Sequence, residues 1–127
     1  MTFDKDWEKF IGGPNKPNRE RIHITMNKHN VIYLNGNAYR MMGKPEAVQF
    51  FLNRKEGKLG LKPANPCLHD AFPLKPDKGS LIIHASPACR SFGIRFTTTE
   101  KFIDPVLDAS GNLILDLSRT ITVTKRR

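Results

Sequence analysis

The stretch RIHITMNKHNVIYLNGNAYRMMG, residues 21–43, decides the fold because AFPLKPDKGSLIIHASPACRSFG, residues 71–93, repeats its pattern. A constant offset of 50 positions aligns Ile22 with Phe72, Ile24 with Leu74, Lys28 with Lys78 and Val31 with Leu81. The same offset aligns Ile32 with Ile82, Ala38 with Ala88, Arg40 with Arg90, Met42 with Phe92 and Gly43 with Gly93, without a gap. Further on, an offset of 54 aligns Gly57 with Gly111, Leu59 with Leu113 and Leu61 with Leu115, so the second copy carries four additional residues. A unit too small to hide its own apolar face is stabilised by packing that face on a second copy.

Each copy reads as strand, turn, strand, short helix, strand, turn, strand. In copy one, residues 21–26 alternate: Ile22, Ile24 and Met26 fall on one face, Arg21, His23 and Thr25 on the other. That period of two marks a half-buried strand. NKHN (27–30) is a turn and VIYLN (31–35) a β-branched and aromatic strand. Asn35 or Asn37 can cap a helix running through Met42, with Gly43 ending it and Pro45 blocking continuation. AVQFFLN (47–53) and LGLKP (59–63) flank a turn in which Gly57 supplies a positive φ.

In copy two, Pro73 and Pro76 cannot donate to a ladder, so AFPLKP belongs at a sheet edge. DKGS (77–80) is a turn and LIIHA (81–85) a strand. Ser86 reads as the N-cap of a helix with Pro87 at its first position and Gly93 as its stop. Residues 94–110 hold the third strand with an irregular approach; LILDL (113–117) is the fourth, which SRTITVT (118–124) is placed to extend. The expected organisation is an arm over 1–18 and one domain over 19–127. That domain divides into copy one (21–63), a linker (64–71), copy two (72–117) and a C-terminal extension (118–127).

Composition bounds the class. The chain has 127 residues, 39% apolar and 26% charged, which suits one soluble domain. Apolar runs are too short to span a bilayer, and the acidic start MTFDKDWEKF is no secretory signal, so a cytoplasmic protein with no membrane partner is expected. The net charge of +9 points to an anionic partner, nucleic acid being the commonest.

The run VIYLNGNAYRMMGKPEAVQFFLNRKEGKLGLKP, with LIIHASPACRSFGI in copy two, resembles the swapped-hairpin domain of the AbrB, SpoVT and MazE group of bacterial DNA-binding proteins. The resemblance covers about residues 21–63 and 72–117. It departs from the group's Gly-Arg before the second strand, where Asn30-Val31 and Ser80-Leu81 stand, and from its proline at the helix start, present only as Pro87. The resemblance implies a mainly β fold with short helices, a swapped-hairpin β-barrel that two chains of the group build together; the 50-residue offset implies that two ββαββ copies close a pseudo-symmetric barrel within this one chain. Another small barrel or an α+β domain is the alternative. It also implies a DNA-binding regulator or accessory factor whose helix arginines fall on Arg40 and Arg90. Lys28 and Lys78 lie at the hairpin turns, with Arg21, His23 and Arg95 flanking. Symmetric cations of this kind would meet duplex phosphate.

Other chemistry fits poorly. Cys67, His69, His84 and Cys89 have the wrong spacing for structural zinc, and the offset aligns His84 and Cys89 with Leu34 and Tyr39, core-facing positions. Cys67 beside His69 lacks oxyanion donors, and GGPNKPN lacks the ending of a phosphate loop. The aromatics Tyr33, Tyr39, Phe50, Phe51, Phe92, Phe96 and Phe102 could stack single-stranded bases, but most fall at positions expected inside and read as core. No catalytic residue, metal or cofactor is expected. Two alternatives to duplex binding remain: a protein-interaction module docking through the Trp7-containing arm, and a binder of single-stranded nucleic acid or RNA.

Overall fold

The computed structural model describes residues 22–123; Arg21, the arm over 1–18 and the basic end lie outside the described residues. Copy one supplies β1 (Ile24–Met26), β2 (Val31–Leu34), α1 (Gly36–Met41), β3 (Ala47–Asn53) and β4 (Lys58–Ala64). After the linker come β5 (Phe72–Pro73), β6 (Lys75–Asp77), β7 (Ser80–His84) and α2 (Ser86–Phe92). The chain then forms β8 (Glu100–Phe102), β9 (Val106–Leu107), β10 (Leu113–Asp116) and β11 (Thr120–Thr122). The protein is mainly β, as expected, with two antiparallel sheets ordered β11-β8-β1-β2-β7-β6 and β5-β3-β4-β10-β9. No helix among the described residues is long and apolar enough to cross a membrane.

The sheets do not close into a barrel, which corrects the expected architecture. Three of the four outer strands explain why. β5 contains Pro73, β6 contains Pro76, and β9 is two residues long and follows Pro105. A proline withholds a ladder donor, so these edges cannot continue the pairing that closure needs. The inner faces of both sheets instead share one core, including Ile24, Met26, Ile32, Leu34, Leu59, Leu61, Ile83, Phe102, Leu113 and Leu115.

In each sheet, corresponding strands pair antiparallel: β2 with β7 and β4 with β10. The register on β2 and β7 corrects the alignment. Ile32 stands opposite Ile83 and Leu34 opposite Leu81, and directly opposed residues face the same side. Residues 50 apart therefore face opposite sides: Leu34 is buried while His84 is exposed. An offset of 51 matches the inward sets, Ile32 with Ile83, Leu34 with Ala85 and Ala38 with Cys89. The helices nonetheless keep the offset of 50, since Tyr39 N donates to Asn35 O and Cys89 N to Ala85 O. From the matched residues Ile32 and Ile83 to the caps Asn35 and Ala85, copy two is thus one residue shorter. Asn35 caps α1 through its side chain, accepting from Ala38 N at 3.0 Å. The expected Ser86 cap is replaced by Ala85, which makes no side-chain cap bond; Pro87 in the first turn supplies the helical start. On β4 and β10 the offset of 54 holds, with Leu59, Leu61, Leu113 and Leu115 all fully buried.

Of the expected extension over 118–124, the described residues 118–123 do not extend β10. The chain turns at Leu117 and Ser118 and sends β11 to the other sheet, against β8. Glu100 fastens that strand. Its carboxylate accepts from the hydroxyls of Thr98 at 2.6 Å, Thr122 at 2.8 Å and Thr120 at 2.9 Å. These bonds, Thr98's first, hold the Glu100 carboxyl below the usual carboxylate range. A lowered folded pKa stabilises the protein above the unfolded value, and that contribution is lost as pH falls through the folded pKa. Glu100→Gln should therefore lose urea resistance at neutral pH yet show a smaller further loss on acidification than the parent. Urea midpoints at neutral and acidic pH check this; identical acid sensitivity in both proteins would remove Glu100 from the account.

Candidate nucleic-acid interface

The first hairpin turn is set by Asn27, whose side-chain oxygen accepts from His29 N at 2.9 Å and Val31 N at 3.0 Å. That leaves Lys28 and His29 exposed at the tip. The turn does not lie against its own copy's helix. Ala85 N donates to Asn30 O at 3.0 Å, which fixes the turn beside the start of α2. Lys28 and His29 consequently share a cleft with Arg90 of α2 and with Arg95 and Phe96 just beyond it; the cleft volume is about 770 Å³.

The second hairpin repeats the arrangement with the roles exchanged. Lys78 (φ 49) and Gly79 (φ 86) form its turn, two successive left-handed residues as a tight hairpin requires. A Cβ added at Gly36 would lie 3.3 Å from Arg40 Nη1 and 3.5 Å from the Gly79 carbonyl oxygen. The Arg40 guanidinium therefore lies over the first turn of α1, next to the turn that carries Lys78. A lysine with φ 49 occupies a conformation that favours Gly or Asn, at a cost of about 1 kcal/mol.

The structure brings Lys28, Arg90 and Arg95 together, and Arg40 with the turn of Lys78. It does not bring Arg40 to Arg90 or Lys28 to Lys78, the pairs matched by sequence. The two groups sit at opposite ends of the β2–β7 pair, whose four rungs alone span about 10 Å. Arg21 lies outside the described residues. The ion pairs among the described residues are Lys58–Glu56 at 3.4 Å and Arg119–Asp104 at 2.8 Å, so no carboxylate there neutralises the five cations.

Sequence reading missed His29, Ser86 and Thr97, which also line the first cleft, and preferred a core position for Phe96, which lines the cleft while packing against the core. The four-residue surplus of copy two was the available signal, since the segment after α2 is where it falls. His84 is exposed, correcting its expected core position, whereas Cys89 is buried. Burial pushes the Cys89 thiol up to about 11, so it stays protonated and forms an apolar floor to the cleft. Cys67 is exposed in the linker. Among the described residues, no group of three or more His, Cys, Asp or Glu is placed to hold a metal ion. Two aromatics read as core are not: Phe51 is 54% exposed and Tyr33 36%. No protein-family description matches the chain, and neither the curated proteins nor the solved structures contain a significant match to it.

Proposed function

We propose that this protein binds nucleic acid, with duplex DNA as the ligand, through two cationic groups each assembled from both copies. In this reading the chain is a tandem pseudo-dimer of swapped-hairpin units related to the AbrB, SpoVT and MazE group, and acts as a regulator or accessory factor rather than an enzyme. The antiparallel pairing of β2 with β7 and of β4 with β10 supports a local two-fold relation, as does the seating of each hairpin turn against the other copy's helix. A two-fold array of cations suits a duplex, whose strands carry phosphate about their own dyad.

One observation carries the reading: Lys28, Arg90 and Arg95 converge on one cleft with no carboxylate paired to them among the described residues. Like charges held together without counterions are costly unless an anion joins them. Lys78 adds to this, because it keeps a cation at a strained turn position.

With five phosphate contacts, raising salt from about 50 to about 200 mM should weaken duplex binding by roughly 500-fold. Fluorescence anisotropy with a labelled duplex measures it; absence of binding at the lower salt would refute the proposal.

A protein-interaction role is the second reading, favoured by the outer face of the β5-β3-β4-β10-β9 sheet. There Phe51, Gly60, Ile114 and Val106 stand in one row across four strands, with Phe51 and Val106 each 54% exposed. Retention of a protein from nuclease-treated lysate, lost in Phe51→Ser, would favour this reading.

A further inference from the structure

Of the two cationic groups, only that of Lys28 is backed by a wall with no counterpart in copy one. Copy one passes from Gly43 to β3 through residues 44–46, whereas copy two passes from Gly93 to β8 through residues 94–99. The longer segment folds beside α2 and gives Ile94, Arg95, Phe96 and Thr97 to the cleft. The site is therefore two-sided. Lys28, Arg90 and Arg95 make it cationic, while the protonated Cys89, Ile94 and Phe96 make it apolar. Its volume of about 770 Å³ falls among those of small-molecule sites.

Phosphate alone would use the cations and leave the exposed part of the Phe96 ring in water, Cys89 and Ile94 being already buried behind it. A base inside an intact duplex is stacked and paired, so it cannot reach that wall either. A nucleotide with an unpaired base presents an anion at one end and a flat apolar surface at the other, which is the distribution the cleft offers.

We infer that the cleft between the first hairpin turn and the segment after α2 binds one nucleotide whose base is unpaired, its phosphate on Lys28, Arg90 and Arg95 and its base against Phe96. The inference deepens the nucleic-acid reading and rests on it for the phosphate contacts. A strand nucleotide, at a bulge or an end, and a free nucleoside monophosphate share this chemistry.

Phe96 packs near Phe102, with ring centroids 6.2 Å apart, so its replacement must preserve apolar volume. Phe96→Leu keeps an apolar side chain of most of the volume and removes the flat ring; Phe96→Tyr keeps both volume and ring. Three probes separate the outcomes: a blunt duplex, the same duplex with a one-base bulge, and adenosine monophosphate. The parent and Phe96→Tyr should bind the bulged duplex about tenfold more tightly than the blunt one, and Phe96→Leu should bind the two equally, since a base on an aromatic ring contributes about that factor. Saturable binding of the monophosphate by the parent and Phe96→Tyr but not by Phe96→Leu, without bulge preference, assigns the site to the free nucleotide. Equal affinity of the parent for both duplexes with no monophosphate binding overturns the inference, as does a preference that Phe96→Leu retains. The blunt duplex reports separately on the nucleic-acid reading, and its failure to bind counts against that reading whatever the bulge shows.

Discussion

Gly111→Ala is expected to destabilise the protein by about 3 kcal/mol, a large share of a small domain's stability, whereas Gly57→Ala should cost about 1 kcal/mol. The offset of 54 makes these glycines equivalent, and both have positive φ, 84 and 67. Their surroundings differ. A Cβ at Gly111 would lie 2.8 Å from the Met42 carbonyl oxygen and 3.4 Å from its carbon, and real Cβ atoms do not approach backbone so closely. Nothing lies within 4 Å of a Cβ at Gly57. The turn before β10 thus presses on the end of α1, and an alanine there must push backbone away from the core residue Met42. Urea unfolding with unchanged m-values would resolve the two costs. Equal losses would mean that the contact with Met42 contributes nothing.

Arg40→Ala combined with Arg90→Ala should weaken duplex binding on the order of a hundredfold at about 50 mM salt, because two released counterion contacts are lost. Both side chains are exposed and outside the core, so the fold should tolerate the change. The two residues belong to different cationic groups, so their single effects should add. Lys28→Ala with Arg90→Ala is the contrasting pair. These share one cleft, and their effects should fall short of the sum if both meet the same phosphate.

Much of the fold was legible because its cues are local. An Asn cap on α1, Gly43 and Gly93 as helix stops, Gly57 at positive φ, and Pro73 and Pro76 at edges each follow from one residue's own geometry. What failed depended on the pleat or on distant partners. An alignment by residue type cannot register that Ile32 and Ile82 face opposite sides, because both residues are apolar. Asp104 and Pro105 split the expected third strand into β8 and β9, and the three hydroxyl bonds to Glu100 hold β11 on the other sheet. His29, which lines the same cleft as Lys28, was not named from sequence, whereas Lys28, Arg40, Lys78, Arg90 and Arg95 were. Their grouping was not, since it arises from hairpin turns seated on the opposite copy's helix, a long-range contact with no one-dimensional trace.

The most direct test is the salt dependence of duplex binding for the parent and for a variant with Lys28, Arg40, Lys78 and Arg90 all changed to Ala. If both cationic groups hold phosphate, log K against log salt should have a slope of about −4 to −5 for the parent and close to −1 for the variant. Parallel lines for the two proteins, or a parent that binds no duplex, would contradict the account.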